Sequence, residues 1–130
     1  FRAAGENKVP IQSEEQVSRN DWIDWAECCW QDIKETDTLN TRNAKSEEDV
    51  KHICPLQLGV IRRLVKLYSN PGEIVFSPFA GIGSEGYEAV KHGRRFYGCE
   101  IKTEYYAEAC KNLAAAESHE AESSLFSEAT

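Results

Sequence analysis

The 130-residue sequence contains no methionine, and its four prolines never stand next to each other. No apolar stretch approaches the roughly 18 residues of a membrane-spanning helix, so a transmembrane segment is excluded. The five cysteines form no C-x-x-C pair, which disfavours a disulfide framework and a zinc ribbon. The chain opens at Phe1 without a signal-peptide pattern. We therefore expect a cytoplasmic protein with no membrane partner and no metal, and a chain that is a cut-out, a processed product or part of a gene.

Charge is distributed unevenly along the chain. The net charge of −7 alone argues against binding to nucleic acid. The middle of the chain, residues 51–113, nevertheless carries nine Lys and Arg against six Asp and Glu, whereas both flanks are acidic. Within it, the pairs Arg62-Arg63 and Arg94-Arg95 are compatible with phosphate contacts or with ordinary solvated positions. Of the two, solvated positions are expected.

Composition and turn signals divide the chain into an upstream segment (1–50), an α/β unit (51–117) and an acidic flexible tail (118–130). In the upstream segment, apolar residues three to four positions apart predict a helix over residues 21–33. They are Trp22, Trp25, Ala26, Cys29, Trp30 and Ile33. We interpret this stripe as a packing surface, with base stacking by the tryptophans as the alternative.

The α/β unit alternates helix and strand signals. Pro55 is typical of the first position of a helix, and Gly93 is typical of a helix C-terminus. The predicted elements are a helix from Pro55 to about Tyr68, a strand over 73–76, a glycine-rich loop over 77–83, a helix over 84–92, a strand over 95–99, and a helix from Thr103 to about Glu117. This order is typical of one half of a doubly wound α/β fold.

The glycine-rich loop and the acidic residue after the second strand form a nucleotide-binding pattern. Gly81, Gly83 and Gly86 fit G-x-G-x-x-G, and Glu100 follows Gly81 by nineteen residues. Glycine lets a ligand approach the backbone, a helix N-terminus offers free N–H donors, and a carboxylate accepts hydrogen bonds from a ribose diol. The pattern predicts a nucleoside cofactor, and its geometry leaves NAD and S-adenosylmethionine about equally open. The alternative is a tight βα turn that needs glycine for packing alone.

Three stretches of the α/β unit resemble amino-group DNA methyltransferases, particularly phage-type adenine-specific members. They read HICPLQL (52–58), PGEIVFSPFAGIGSEGYEAV (71–90) and GRRFYGCEIKTEYYAEA (93–109). The resemblance implies a partial doubly wound, Rossmann-like methyltransferase fold with S-adenosylmethionine as the cofactor. It also implies methyl transfer to an exocyclic base nitrogen of double-stranded DNA, adenine N6 more than cytosine N4, in a bacterial or phage-infected cell.

The resemblance also implies roles for individual residues. The loop from Phe79 to Gly83 would wrap the methionine part of the cofactor, Glu100 would bind the ribose hydroxyls, and the stretch from His52 to Pro55 would lie beside the methionine end. The full implied cofactor-binding set is His52, Cys54, Pro55, Ser77, Phe79, Ala80, Gly81, Ile82, Gly83, Ser84, Glu100 and Lys102. No catalytic residue is assigned.

Three features depart from the family pattern. No two prolines adjoin, so the family's Pro-Pro catalytic motif is absent from this sequence. Ser77 stands where the family usually has Asp, and His52 lies closer to Pro55 than in the usual family motif. We therefore expect the C-terminal cofactor-binding half of a methyltransferase, inactive alone, with the catalytic motif upstream of Phe1. The alternatives are a nicotinamide-binding fragment and a non-catalytic remnant or interaction domain.

The predicted sheet has only two strands, which leaves exposed edges. Unpaired strand edges template the pairing of further chains. We therefore expect self-association through these edges.

Overall fold

The computed structural model describes residues 16–40 and 54–127 of the chain. Its helices and strands are α1 (Arg19–Trp25), α2 (Leu58–Tyr68), β1 (Ile74–Ser77), α3 (Ser84–Lys91), β2 (Arg95–Gly98) and α4 (Thr103–Ser127). The predicted order of the α/β unit is confirmed, and both strands lie within one residue of their predicted bounds. The architecture is the expected partial Rossmann-like fold.

The two strands pair in parallel, with Val75 opposite Phe96 and Phe76 opposite Tyr97. Parallel neighbours need a crossover connection, which α3 supplies. This helix packs on the sheet face that contains Phe96, and it approaches closely because residue 86 is glycine. A Cβ at Gly86 would lie 2.6 Å from the Phe96 ring.

Within the part of the chain that the structure describes, the opposite face of the sheet is largely uncovered. Side chains of a strand alternate between the two faces, so Ile74, Phe76 and Tyr97 lie together on this one. They are 52%, 62% and 70% exposed, respectively. An uncovered apolar face beside open strand edges is typical of a surface that other polypeptide covers. Self-association through the edges stays a prediction, which sedimentation velocity of the 130-residue chain would check.

The helices pack into one layer on the covered face, where α3 contacts both α2 and α4. The buried apolar side chains are Ile61, Val65, Ala80, Ile82, Ala89, Ala109 and Ala116. Four of these seven are alanines, so the helix and loop backbones approach one another closely. Within the described residues, no helix is both long and apolar enough to cross a membrane.

The helix predicted over residues 21–33 ends much earlier, at Trp25, and the prediction is wrong beyond that residue. The Trp30 indole N–H donates to the Trp25 carbonyl over 3.0 Å and so occupies an acceptor that a continuing helix would use. The two indole rings flank Arg63, whose guanidinium carbon lies 5.5 Å from the Trp25 centroid and 4.8 Å from that of Trp30. The interpretation as a packing surface is confirmed for these two tryptophans.

The first turn of α2 begins at Leu58, and the predicted start at Pro55 is wrong. The N-cap residue Gln57 makes no side-chain cap bond. Instead, Asp37 of the upstream segment accepts the Leu58 N–H on its carbonyl (2.7 Å) and the Gly59 N–H on Oδ2 (3.1 Å). Free amides of the first turn need such acceptors, so a residue distant in sequence fixes where the helix begins.

The last helix continues to Ser127, so the acidic segment that we predicted as a flexible tail is helical over most of its length. The run of alanines from 114 to 116, followed by Glu117, has high intrinsic helix propensity. The predicted helix end near Glu117 is therefore wrong, whereas flexibility of the acidic segment stays a prediction.

Two arginines expected in solvated positions, Arg63 and Arg94, are buried, and the expectation is wrong for both. Arg63 pairs with Asp32, and this hydrogen bond holds the pKa of the Asp32 carboxyl below its usual value. Arg94 donates to the Ser69 carbonyl (2.6 Å), the Ser69 hydroxyl (3.1 Å) and the His92 carbonyl (2.6 Å). It therefore joins the end of α2 to the turn before β2, while burial lowers its pKa.

We expect Arg94→Lys to destabilise the fold by about 1–3 kcal/mol, because one ammonium cannot reach all three oxygens and buried acceptors are left unpaired. Urea denaturation would measure the change. Arg95→Lys is the matched control, since Arg95 is exposed and its side chain donates from Nε to the Gly72 carbonyl (3.0 Å); its effect should stay within about 0.5 kcal/mol. Equal effects of the two variants would contradict the role given to Arg94.

Candidate cofactor-binding site

The loop after β1 starts at the carboxyl ends of the two strands. The Cys99 N–H donates to the Ser77 carbonyl (3.0 Å) and the Ala80 N–H donates to the Cys99 carbonyl (2.9 Å), so strand pairing continues into the loop. The chain then turns at Gly81 and Gly83, with φ angles of +53° and +84°. Both lie in the left-handed region, which side chains disfavour. The first two glycines of the predicted pattern are therefore required by the turn itself.

The two loop glycines differ in what surrounds them. A Cβ at Gly83 would lie 3.1 Å from the Ala109 Cβ and 3.2 Å from its Cα, so this glycine lets α4 pack against the loop. A Cβ at Gly81 would meet nothing within 4 Å. Helix packing therefore explains Gly83 but leaves the space above Gly81 open to a ligand.

The Glu100 carboxylate is held by three backbone amides. Its Oε2 accepts the Gly81 N–H (2.8 Å), and its Oε1 accepts the N–H groups of Ile101 and Lys102 (2.9 Å each). A carboxylate offers about four lone-pair positions. One acceptor position therefore remains for a ligand hydroxyl, and the carboxylate is already oriented before any ligand arrives.

A cleft of about 240 Å³ lies beside the loop. Seven residues of the implied cofactor-binding set line it: Cys54, Pro55, Phe79, Ala80, Gly81, Ile82 and Ser84. Ser84 is also the first residue of α3, so free amides of a helix N-terminus lie at the cleft. The structure thus brings together the loop after β1 and the stretch before α2, which are more than twenty residues apart in sequence.

Other members of the implied set lie outside the cleft lining. Ser77 is buried at the end of β1, and Gly83 is buried against α4. Glu100 adjoins the cleft through its hydrogen bond to the Gly81 amide. Lys102 is exposed, with its ammonium 4.9 Å from the centroid of the Tyr105 ring. His52 lies outside the described residues.

Three lining residues were not predicted from the sequence: Leu56, Glu85 and Tyr105. Glu85 and Tyr105 lie in the first turns of α3 and α4, so the predicted helix starts were the signal that could have identified them. Asn112 was also missed; its Nδ2 donates to the Ile82 carbonyl (2.8 Å) and ties α4 to the loop. Across residues 16–40 and 54–127, no group of three His, Cys, Asp or Glu is placed to hold a metal ion.

Comparison with known proteins identifies the family. The family model for DNA methylases of the N6 and N4 type matches residues 4–111. The chain belongs to this DNA methylase family. The predicted resemblance to amino-group DNA methyltransferases is therefore confirmed, whereas its phage-type detail stays a prediction.

Two curated relatives match a little less than half of the chain. The chain is 40% identical over 63 residues to the DNA adenine methyltransferase YhdJ of Escherichia coli. This match covers 48% of the chain and 21% of YhdJ. The chain is 38% identical over 58 residues to the type II methyltransferase M1.MboII of Moraxella bovis. This match covers 45% of the chain and 22% of M1.MboII. The match thus spans about a fifth of each relative.

A solved structure matches more of the methylase chain. The Thermus thermophilus protein TTHA0409, described as a DNA modification methylase and solved in complex with S-adenosyl-L-methionine, superposes with a TM-score of 0.63. The two sequences are 26% identical, and the match covers 88% of this chain and 41% of TTHA0409. The chain thus has the fold of a substantial part of that protein.

We expect Glu100→Gln to leave the Gly81 amide unpaired, because the single oxygen of Gln stays with the Ile101 and Lys102 amides. Hydrogen exchange at Gly81, followed by NMR, should become about tenfold faster, as losing a hydrogen bond of about 1.4 kcal/mol implies. Glu104→Gln, at an exposed carboxylate in the first turn of α4, is the control and should leave Gly81 unchanged. Unaltered exchange at Gly81 in Glu100→Gln would show that the contact does not hold the loop.

Proposed function

We propose that the α/β unit of this chain binds S-adenosylmethionine for a DNA methyltransferase. The observation that carries the proposal is the open cleft above Gly81, bounded by a carboxylate that backbone amides already orient. Family membership and the S-adenosylmethionine complex of TTHA0409 support it. The substrate is an exocyclic amino group of double-stranded DNA. Adenine N6 is favoured because YhdJ is a DNA adenine methyltransferase.

The residues present fit a nucleoside cofactor divided between two places. A cleft of about 240 Å³ is smaller than the ~300–1,000 Å³ of sites that enclose a whole ligand. It accommodates the methionine part beside Phe79 and Gly81. The ribose would then lie outside, where Glu100 keeps one acceptor position for a hydroxyl. Phe79 is 84% exposed and free to cover a bound ligand.

When bound, S-adenosylmethionine supplies a methyl group activated by its sulfonium charge. Positioning is the main contribution that the protein makes to such a transfer. Glu100 fixes the ribose and the turn at Gly81 lets the ligand approach the backbone. Asn112 keeps the loop in shape through the Ile82 carbonyl. These residues bind and orient; none of them exchanges a proton with the substrate.

We propose that this chain is inactive alone, because its sequence contains no Pro-Pro motif to bind the target base. The uncovered sheet face of Ile74, Phe76 and Tyr97 fits a unit that further polypeptide completes. Double-stranded DNA is then a partner of the completed enzyme. A cytoplasmic location in a bacterial or phage-infected cell is part of the same proposal, supported by the bacterial origin of the relatives.

We expect calorimetric titration of the chain with S-adenosylhomocysteine to show binding, and Glu100→Ala to weaken it at least tenfold, since a charged hydrogen-bond acceptor and the support of the loop are both lost. Glu104→Ala is the control and should bind like the wild-type chain. NADH should not bind, and the chain alone should not methylate DNA.

Each contrary outcome has a definite meaning. Binding of NADH instead of S-adenosylhomocysteine would favour the nicotinamide alternative. Binding of neither ligand would favour a non-catalytic remnant. Methylation of DNA by the isolated chain would refute the proposed inactivity.

A further inference from the structure

Among the residues that the structure describes, Glu85 supplies the one charged side chain that lines the cleft. The other nine lining residues are apolar or neutral: Cys54, Pro55, Leu56, Phe79, Ala80, Gly81, Ile82, Ser84 and Tyr105. Glu85 is a half-buried residue, and its carboxylate makes no hydrogen bond or ion pair with any of residues 16–40 and 54–127. A carboxylate without a protein partner at a mostly apolar cleft can pair with a ligand that brings a positive charge.

The location of Glu85 separates it from the other carboxylate of the site. Glu85 also lines an apolar groove between α2 and β1, together with Leu64 and Ile74. Glu100 lies at the end of β2, which is on the other side of β1. The two carboxylates therefore lie in different parts of the site, because Glu85 lines the cleft whereas Glu100 adjoins it through the Gly81 amide. A ligand that extends from the cleft past Gly81 would meet both.

We propose that Glu85 binds the α-ammonium group of the methionine part of S-adenosylmethionine. The inference rests on the proposed function, which brings the ribose to Glu100 and so the amino-acid end to the side of Glu85. An ammonium group has three N–H donors, whereas a sulfonium has charge but no donor, so the carboxylate pairs with the ammonium. The apolar lining strengthens this contact because the local dielectric constant is low.

A purely structural role for Glu85 would be the interaction of a first-turn carboxylate with the dipole of α3. Glu104 has the same relation to α4, but it is exposed and outside the cleft. The two residues therefore form a matched pair. Both variants would lose a helix-dipole interaction, and only the variant at Glu85 would lose a ligand contact.

The test compares three ligands by calorimetry on the full chain. S-adenosylhomocysteine has the ammonium and the carboxylate, its decarboxylated analogue keeps only the ammonium, and 5′-methylthioadenosine has neither. Glu85→Gln should weaken the first two at least tenfold, as loss of a charge-assisted hydrogen bond implies. It should change the affinity for 5′-methylthioadenosine less than twofold. Glu104→Gln should change none of the three.

The outcomes separate this inference from the proposed function. If the wild-type chain binds S-adenosylhomocysteine and Glu85→Gln binds it equally well, the role of Glu85 is refuted while cofactor binding stands. Equal weakening of all three ligands by Glu85→Gln would also refute it, since the variant would then act on the loop and not on the ammonium. If the wild-type chain does not bind S-adenosylhomocysteine, both proposals fail.

Discussion

The hydrogen bond from the Gly81 N–H to Glu100 connects the two halves of the candidate site. Gly81 belongs to the loop after β1, and Glu100 follows β2, so the bond fixes the loop relative to the far strand. The same carboxylate accepts the amides of Ile101 and Lys102 and thereby shapes the entry to α4. One side chain thus sets the geometry of the loop, the strand end and the following helix, and the cleft depends on all three.

Two glycines without side chains, Gly83 and Gly86, allow neighbouring elements to pack closely around the loop. Gly83 admits Ala109 of α4, and Gly86 admits the Phe96 ring of β2. A larger side chain at residue 83 would collide with Ala109 of α4, and one at residue 86 would collide with the Phe96 ring of β2. The close approach also lets Asn112 reach the Ile82 carbonyl. Helix packing therefore determines the shape of the loop at Gly83 and Gly86. At Gly81 no packing contact fills the space, which stays open to a ligand.

Local signals predicted the α/β unit well because its turns are encoded by neighbouring residues. Glycines at 81, 83 and 93 have left-handed φ angles, in the loop and at the helix end that the sequence predicted. Short runs of β-favouring residues predicted both strands to within one residue. The prediction failed where residues outside the helix determine its first or last residue. Asp37, more than twenty residues before α2, accepts an amide of its first turn, and the Trp30 indole N–H donates to the carbonyl of the last residue of α1. The cleft lining showed the same limit, since Glu85 fits no motif and is recognised only by its position beside the cleft.

The cleft and the uncovered sheet face lie in different parts of the α/β unit. This separation bears on how much of the chain is needed to form the site. The loop, α3, β2 and α4 follow one another directly in sequence, and their mutual contacts shape the site. The stretch before α2 closes the cleft from the other side. By contrast, Phe76 and Tyr97 lie on the sheet face opposite α3, and neither residue lines the cleft. Covering that face would add stability to the sheet by burying apolar area, while the contacts that orient Glu100 and hold the loop are already complete within the described residues.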